Sequence, residues 1–202
     1  IIPTLNPKTV LPFAGSYILG GKNISKNNYL GTTTWDECAD YLKANLKSGT
    51  NVVCLRENEI FNISRQKSLQ DYERINIEEM KNYIQKLRFK KYDYETDNHP
   101  NLVQLKKDIL IVKEKFKEKI EKFGIKLKTS VFIKIENEKI KIYDGLEKGR
   151  ELVCEMDNRL MRRILDKKSH WNNAEIGAHI NFYRYPNTME PDLHTSLSFF
   201  HL

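Results

Sequence analysis

Long apolar runs are missing from this sequence. A helix that spans a membrane needs about eighteen or more consecutive, largely apolar residues, and none of the 202 residues lie in such a run. Cysteine is sparse too, because Cys38, Cys54 and Cys154 are odd in number and far apart. Such a set favours neither a disulfide framework nor a cysteine-pair metal site, so we expect free, packed thiols in a cytoplasmic protein.

The beginning of the chain lacks a start signal. Ile1-Ile2-Pro3 contains neither an initiator methionine nor the basic and apolar segments of a signal peptide. We therefore expect that residues upstream of Ile1 exist in the native protein and that this chain is a portion of a larger one.

Recognised catalytic fingerprints are absent as well. The sequence has no nucleophile elbow, phosphate-binding loop or dinucleotide-binding glycine motif. Its histidines are His99, His170, His179, His194 and His201. They lack the short pair spacing of a typical zinc site. We therefore expect no metal ligands and no resident cofactor in this chain.

The net charge of +7 is basic. A basic excess can attract nucleic acid or anionic lipid. Here, however, lysines alternate with glutamates, and the sequence lacks the blocks of about five or six like charges that mark interaction tails. We expect a solvated, lysine-rich surface and no nucleic-acid partner.

The pattern of residues 1–63 predicts the order strand, helix, strand, strand. Apolar residues within 7–19 predict a buried strand followed by a Pro-Phe-Ala-Gly turn, and 51–55 and 59–63 predict two more strands. Between them, Thr34-Trp35-Asp36-Glu37 has the form of a capping box and begins a helix.

Residues 64–99 are predicted to be a linker with one short helix at 76–87. From Pro100 as far as Gly124, apolar residues recur at spacings of three and four. This spacing predicts one long amphipathic helix, which we expect to pack on a sheet.

Residues 100–202 are predicted to form a small α+β module, a long helix followed by a mostly antiparallel sheet. Alternating or short apolar runs predict strands at 127–135, 140–143, 152–155 and 177–185. Asp157 and Pro191 are expected to begin two further helices.

The densest polar segment is Ser169-His170-Trp171-Asn172-Asn173-Ala174-Glu175-Ile176-Gly177. It lies between a predicted helix and a predicted strand, where binding sites are often built. The candidates for ligand binding or acid–base work are His170, Asn172, Asn173 and Glu175. The alternative is structural, with the two asparagines and the glutamate satisfying backbone groups in a tight buried corner.

Three charged residues outside this segment complete the set of substrate-binding candidates. They are Asp157 and Arg159, at the start of a predicted helix, and Arg184, on the last predicted strand. Asp157 also fits the role of a helix N-cap. Arg162 and Arg163 could meet a phosphate or carboxylate, but a solvated helix face is the expectation we favour for them.

The segment Val10-Leu11-Pro12-Phe13-Ala14-Gly15-Ser16-Tyr17, together with the helix at Trp35 and the strand at Asn51, carries a family resemblance. It resembles the last third of a metallo-β-lactamase fold. The family's His-x-His-x-Asp-His motif is not in this sequence, and Phe13 and Ala14 stand where many members have a ligand histidine. No metal ligand is therefore carried over to this chain.

Three later strings resemble the C-terminal extension of one branch of that family. They are Met156-Asp157-Asn158-Arg159-Leu160, His170-Trp171-Asn172-Asn173-Ala174-Glu175-Ile176-Gly177 and Arg184-Tyr185-Pro186. This branch includes CMP-N-acetylneuraminate hydroxylase and related metal-dependent hydrolases of sugar and surface-polysaccharide pathways. The extension is also similar, more weakly, to the sterol-carrier-protein type of module.

The resemblance implies that residues 1–63 are the C-terminal portion of an αββα sandwich, followed by the α+β module at 100–202. It implies that an N-terminal half absent from this chain, or a partner chain, holds zinc or iron. The parent would be a hydrolase or hydroxylase acting on a sugar nucleotide or similar anionic substrate, and this chain alone would be inactive. Two alternatives stay open, a lipid or small-ligand binding module and a non-catalytic assembly domain.

Overall fold

The computed structural model describes residues 2–13, 17–46 and 49–201. Its contacts divide the chain into two units, Ile1–Lys90 and Lys91–Leu202. Both units mix helices with small sheets, so the chain is an α+β protein, as predicted. Within the described residues, no helix combines the length and the apolar character that crossing a membrane requires.

The first unit is built of short elements. In chain order they are α1 (Ile2–Leu5), β1 (Thr9–Val10), a 3-10 helix (Gly21–Tyr29), α2 (Trp35–Asn45), β2 (Asn51–Val52), β3 (Phe61–Asn62), β4 (Lys67–Ser68), α3 (Ile77–Lys86) and a 3-10 turn (Leu87–Phe89). Strands β1 and β2 pair in parallel, and β3 and β4 pair antiparallel. Thr34 and Glu37 form the predicted capping box of α2.

The strands predicted for this unit are longer than those the structure has. The core cluster of the described part of the unit has three buried apolar residues, Ala39, Val52 and Cys54, and so small a core covers little sheet. Phe13 is 86% exposed, so its apolar character does not mark burial. Ala14 and Gly15 of the predicted turn lie outside the described residues.

A hairpin occupies part of the segment predicted to be a linker. Strand β4 follows a turn in which Gln66 has a φ of +53°. The turn lacks the Asn-Gly or Asp-Gly pair that usually signals a tight hairpin, which is why the pattern of 64–75 did not predict a strand.

The second unit contains one four-stranded sheet. Its strands are β5 (Ser130–Ile135), β6 (Glu138–Tyr143), β7 (Glu151–Glu155) and β8 (Asn181–Tyr185), in the spatial order β6-β5-β7-β8. Strands β5 and β7 are parallel and the other neighbours are antiparallel, so the sheet is mostly antiparallel, as predicted. After β6 the chain passes close to the backbone at Lys128, and only glycine fits at Gly145. A Cβ there would lie 2.3 Å from the carbonyl oxygen of Lys128.

Helices pack on one face of this sheet. Helix α4 (Leu102–Lys122) is capped by the side chain of Asn101 and ends before Gly124, whose φ of +65° suits glycine. It is followed by α5 (Asn158–Leu165), α6 (Trp171–Ile176) and α7 (Pro191–Leu197). The segment 177–180, predicted to be part of the last strand, lies between α6 and β8 instead.

The core of the second unit lies between α4 and the sheet. The fully buried residues of β5 alternate along the strand and are Val131, Ile133 and Ile135. The inner face of α4 contributes Leu105, Ile109, Phe116 and Ile120. The ring of Phe200 stacks on Phe116 at 4.9 Å and on Trp171 at 5.1 Å, which ties the C-terminal segment to α4 and α6.

We predict that Phe200→Ala lowers the free energy of unfolding by about 3–5 kcal/mol, because it leaves a cavity between two buried rings. Phe123→Ala is the matched control, since Phe123 is 63% exposed and its loss should cost less than about 1 kcal/mol. Urea unfolding of the whole chain, followed by tryptophan fluorescence, measures both. Equal effects of the two changes would show that the stack does not stabilise the fold.

Candidate functional site

Three charged or polar side chains meet at one end of the covered sheet face. His194 of α7 approaches Glu175 of α6 through Nδ1, at 2.8 Å from Oε1. Its other ring nitrogen, Nε2, lies 2.9 Å from a terminal nitrogen of Arg184, on β8. Glu175, His194 and Arg184, called the Glu–His–Arg cluster below, therefore form one hydrogen-bonded chain across three elements.

Strand register places Arg184 in this cluster. In the antiparallel pair of β7 and β8, Arg184 lies opposite Leu152 and Phe182 lies opposite Cys154. Opposed residues project from the same face of a sheet, and Leu152 and Cys154 are fully buried. Arg184 therefore carries its charge into the face that the helices cover, with its guanidinium 5.8 Å from the ring of Phe182.

The contact with arginine determines the protonation pattern of His194. Arginine can only donate hydrogen bonds, so Nε2 of His194 accepts from Arg184. Nδ1 then carries the proton and donates it to the Glu175 carboxylate. The side chain of His194 is only 10% exposed, so this tautomer and ring orientation are held by partners rather than by water.

The cluster has the chemistry of an anion site with a fixed base beside it. A guanidinium binds carboxylate and phosphate oxygens well. The Nε of Arg184 is buried and makes no hydrogen bond to any described residue, so one donor of the guanidinium is unsatisfied. An imidazole oriented by a carboxylate is the usual arrangement of a general base.

Asp157 and Arg159, two other candidates, form a local structure of their own. Asp157 caps α5 through the amide of Arg159 and also accepts from its guanidinium at 2.8 and 3.0 Å. This hydrogen bond raises the pKa of Arg159 above its usual value. Another guanidinium nitrogen donates to the carbonyl of Glu95 at 2.8 Å, so Arg159 anchors residues 93–96 to α5.

His170, Asn172 and Asn173 do not join the cluster. They belong to the start of α6, a helix that the sequence pattern did not predict. Helical spacing turns Trp171 and Ala174 inward, and it leaves Asn172 and Asn173 exposed. The alternative in which both amides are buried in a tight corner is therefore wrong, while Glu175, one position after Ala174, does reach a partner.

The sequence alone did not identify His194 as a site residue. No short spacing links it to Glu175 or Arg184, and the three meet only because α6, β8 and α7 fold against one another. The helix start predicted at Pro191 was the only usable sequence signal for His194, since it placed His194 in the first turns of α7.

Arg162 and Arg163 differ from expectation. Both were expected on a solvated face, but they are half-buried in ion pairs with Asp108 and Asp97.

The first unit contains a cavity of about 460 Å³ lined by α2, β2 and residues 67–74. Asp36, at the edge of the cavity, accepts a hydrogen bond from the amide of Ile75 at 2.8 Å. The Asp36 carboxylate therefore fixes the end of the segment 67–74. Burial, together with the nearby Asp36, raises the pKa of Tyr72 to about 12. Burial also raises the pKa of Cys54. Neither group is therefore ready to ionise near neutral pH.

No group of three or more histidine, cysteine, aspartate or glutamate side chains in the described residues could hold a metal ion. Comparisons with protein-family models, with curated proteins and with solved structures found no match to this chain. Function is therefore proposed from the residues and their geometry.

We predict that Arg184→Met lowers the free energy of unfolding by about 1–3 kcal/mol, because His194 Nε2 loses its donor in a covered site. The control is Asn173→Ala in the neighbouring helix, which should stay within about 0.5 kcal/mol of the parent because the amide is exposed. Chemical denaturation at pH 7 measures both changes. A larger loss for Asn173→Ala than for Arg184→Met would contradict the placement of these side chains.

Proposed function

We propose that this chain is the substrate-side portion of a metal-dependent hydrolase or hydroxylase that acts on a sugar nucleotide or similar anionic substrate. The observation that carries the proposal is the Glu–His–Arg cluster, which puts a cation for the substrate next to an oriented base. The resemblance of the Pro-Phe-Ala-Gly and His170–Gly177 strings to the metallo-β-lactamase branch that includes CMP-N-acetylneuraminate hydroxylase supports the same conclusion.

Each residue of the cluster has its own role in the proposed mechanism. A phosphate or carboxylate of the substrate accepts a charge-assisted hydrogen bond from the guanidinium of Arg184. This draws the arginine away from His194 and leaves the lone pair of Nε2 available to accept a proton. Glu175 holds Nδ1–H throughout, so it keeps the ring in place and stabilises the imidazolium once it forms.

The metal would not be held by the residues described here, which contain no suitable ligand group. On this proposal zinc or iron belongs to an N-terminal half or a partner chain, where it would activate water or dioxygen. A cytoplasmic location is part of the proposal, supported by three free cysteines, Cys38, Cys54 and Cys154.

A lipid-binding module is the first alternative. It would need space between the long helix and the sheet, but the inner side chains of α4, such as Ile109 and Phe116, are fully buried against protein. The tight packing counts against the lipid-binding alternative. An assembly domain without a ligand is the second alternative, and ligand titration distinguishes it from the main proposal.

We predict that cytidine 5′-monophosphate, used as the sugar-nucleotide probe, binds the chain and shifts the ¹⁵N resonances of the His194 ring. Before addition, the spectrum should show His194 protonated at Nδ1. Arg184→Met should weaken binding at least tenfold, because the guanidinium is the anchor for the phosphate.

Arg163→Met is the matched control, because it removes another half-buried arginine that pairs with Asp97 outside the cluster. It should change the affinity less than twofold. Absence of binding at millimolar probe, or equal losses in the two variants, would refute the proposal. Binding of a fatty acid with displacement of core rings would favour the lipid-binding alternative.

We predict that the chain purified without chelator retains much less than one equivalent of zinc or iron after dialysis. The reason is that the described residues bring no ligand group together. Elemental analysis by mass spectrometry measures the content, and a chelator-treated sample gives the baseline. About one equivalent that survives dialysis would contradict the prediction.

A further inference from the structure

A row of lysines lies along the C-terminal half of α4. Lys115, Lys119 and Lys122 are spaced four and three residues apart, and this spacing puts side chains on one helix face. Lys167, in the turn after α5, joins this row in space. Partial burial and repulsion from Lys167, Lys115 and Lys122 together lower the pKa of Lys119.

In the described part of the chain these four lysines form no ion pair, but Glu118, exposed three residues after Lys115 and four before Lys122, shares their helix face. Lys117, one row away on the same helix, is different, since it pairs with Glu114 at 3.6 Å. Four lysines beside one glutamate leave a net positive charge at this corner, which attracts an oppositely charged partner.

The backbone at Lys167 has a conformation that is uncommon for lysine. Its φ is +61°, in the left-handed region that usually requires glycine or asparagine after a helix. The amide of Lys168 closes the helix end by bonding to the carbonyl of Arg163 at 2.8 Å. A lysine therefore occupies a position where glycine would be less strained, and it adds the fourth charge to the row.

An aromatic pair with one exposed ring and one half-buried ring borders the lysines. Phe123, at the end of α4, is 63% exposed, and its ring stacks on that of Phe199 at 5.6 Å. The Nζ of Lys119 lies 5.8 Å from the centroid of the Phe199 ring. Charged and apolar groups thus lie side by side at the same corner of the second unit.

We propose that this lysine–phenylalanine patch, formed by Lys115, Lys119, Lys122, Lys167 and Phe123, adsorbs reversibly to an anionic lipid surface. Lysines next to an anionic leaflet pair with its headgroups, and an adjacent exposed ring enters the boundary between headgroups and acyl chains. The combination fits a membrane surface better than lysines alone would. The proposal is independent of the Glu–His–Arg cluster, which shares none of these residues.

The test is co-sedimentation of the whole chain with vesicles of phosphatidylcholine alone or with 30 mol% phosphatidylserine (about a third, chosen to give a strongly anionic surface). We expect binding only to the anionic vesicles, and weaker binding at higher salt. Each lysine near such a surface contributes about a fivefold gain in binding. The triple change Lys115→Gln, Lys119→Gln, Lys167→Gln should therefore reduce the partition coefficient at least tenfold.

The matched control removes three exposed lysines from elsewhere in the second unit, by Lys91→Gln, Lys107→Gln and Lys148→Gln, with the same change in net charge. It should reduce binding much less than the patch variant. Phe123→Ser should weaken binding severalfold without a change in charge. Equal binding to neutral vesicles, equal losses in the two triple variants, or a patch that binds single-stranded RNA and not vesicles would overturn the proposal.

Discussion

The stack of Phe200 between Phe116 and Trp171 is the contact on which the second unit depends most. Through this stack the C-terminal segment packs against both α4 and α6, and all three rings are buried. Helix α7 directly precedes this segment, so its position against α6 is fixed by the same rings. The buried Leu193 and Leu197 of α7 contribute to the same core, and His194 approaches Glu175 at 2.8 Å beside it.

The Glu–His–Arg cluster is difficult to explain by stability alone. Burying a charged side chain removes its hydration, which costs free energy unless hydrogen bonds or ion pairs replace the lost water. Well-packed apolar side chains often serve stability as well as a buried charged pair does. Leu152, opposite Arg184 in the strand register, shows that apolar residues suit this face. A role in binding or proton transfer gives the arginine, the histidine and the carboxylate a reason to be there together.

Local rules predicted the regular parts of the fold well. Helix periodicity, the cap at Asp157 and the alternation of β5 are properties of neighbouring residues, and the structure contains the corresponding elements. The start of the long helix was predicted at Pro100, but the helix begins at Leu102 after the Asn101 cap. The strands of the first unit were overestimated, because apolar residues of the strand predicted at 59–63, such as Ile60 and Ile63, are exposed.

The candidate site was only partly predictable from the sequence, and the reason is geometric. Glu175 was singled out by its polar segment and Arg184 by its charge on the last predicted strand, but His194 is joined to them only through the folding of α6, β8 and α7. Asn172 and Asn173 were included because they adjoin Glu175 in sequence. Once that segment is a helix, Asn173 lies about 200° around the axis from Glu175, and both amides are exposed.

The two proposed anion-binding regions differ in the kind of cation they use, and this difference follows their burial. Arg184 presents a planar fork with fixed donors in a covered position, which suits one defined phosphate or carboxylate. The lysine row lies on the surface, with only Lys119 partly buried, which suits a diffuse layer of headgroups. Salt screens exposed charges over about 10 Å at 0.1 M but screens covered pairs much less. Ionic strength should therefore weaken the lysine–phenylalanine patch while leaving the Arg184 site largely unaffected, so the two regions can act independently in one chain.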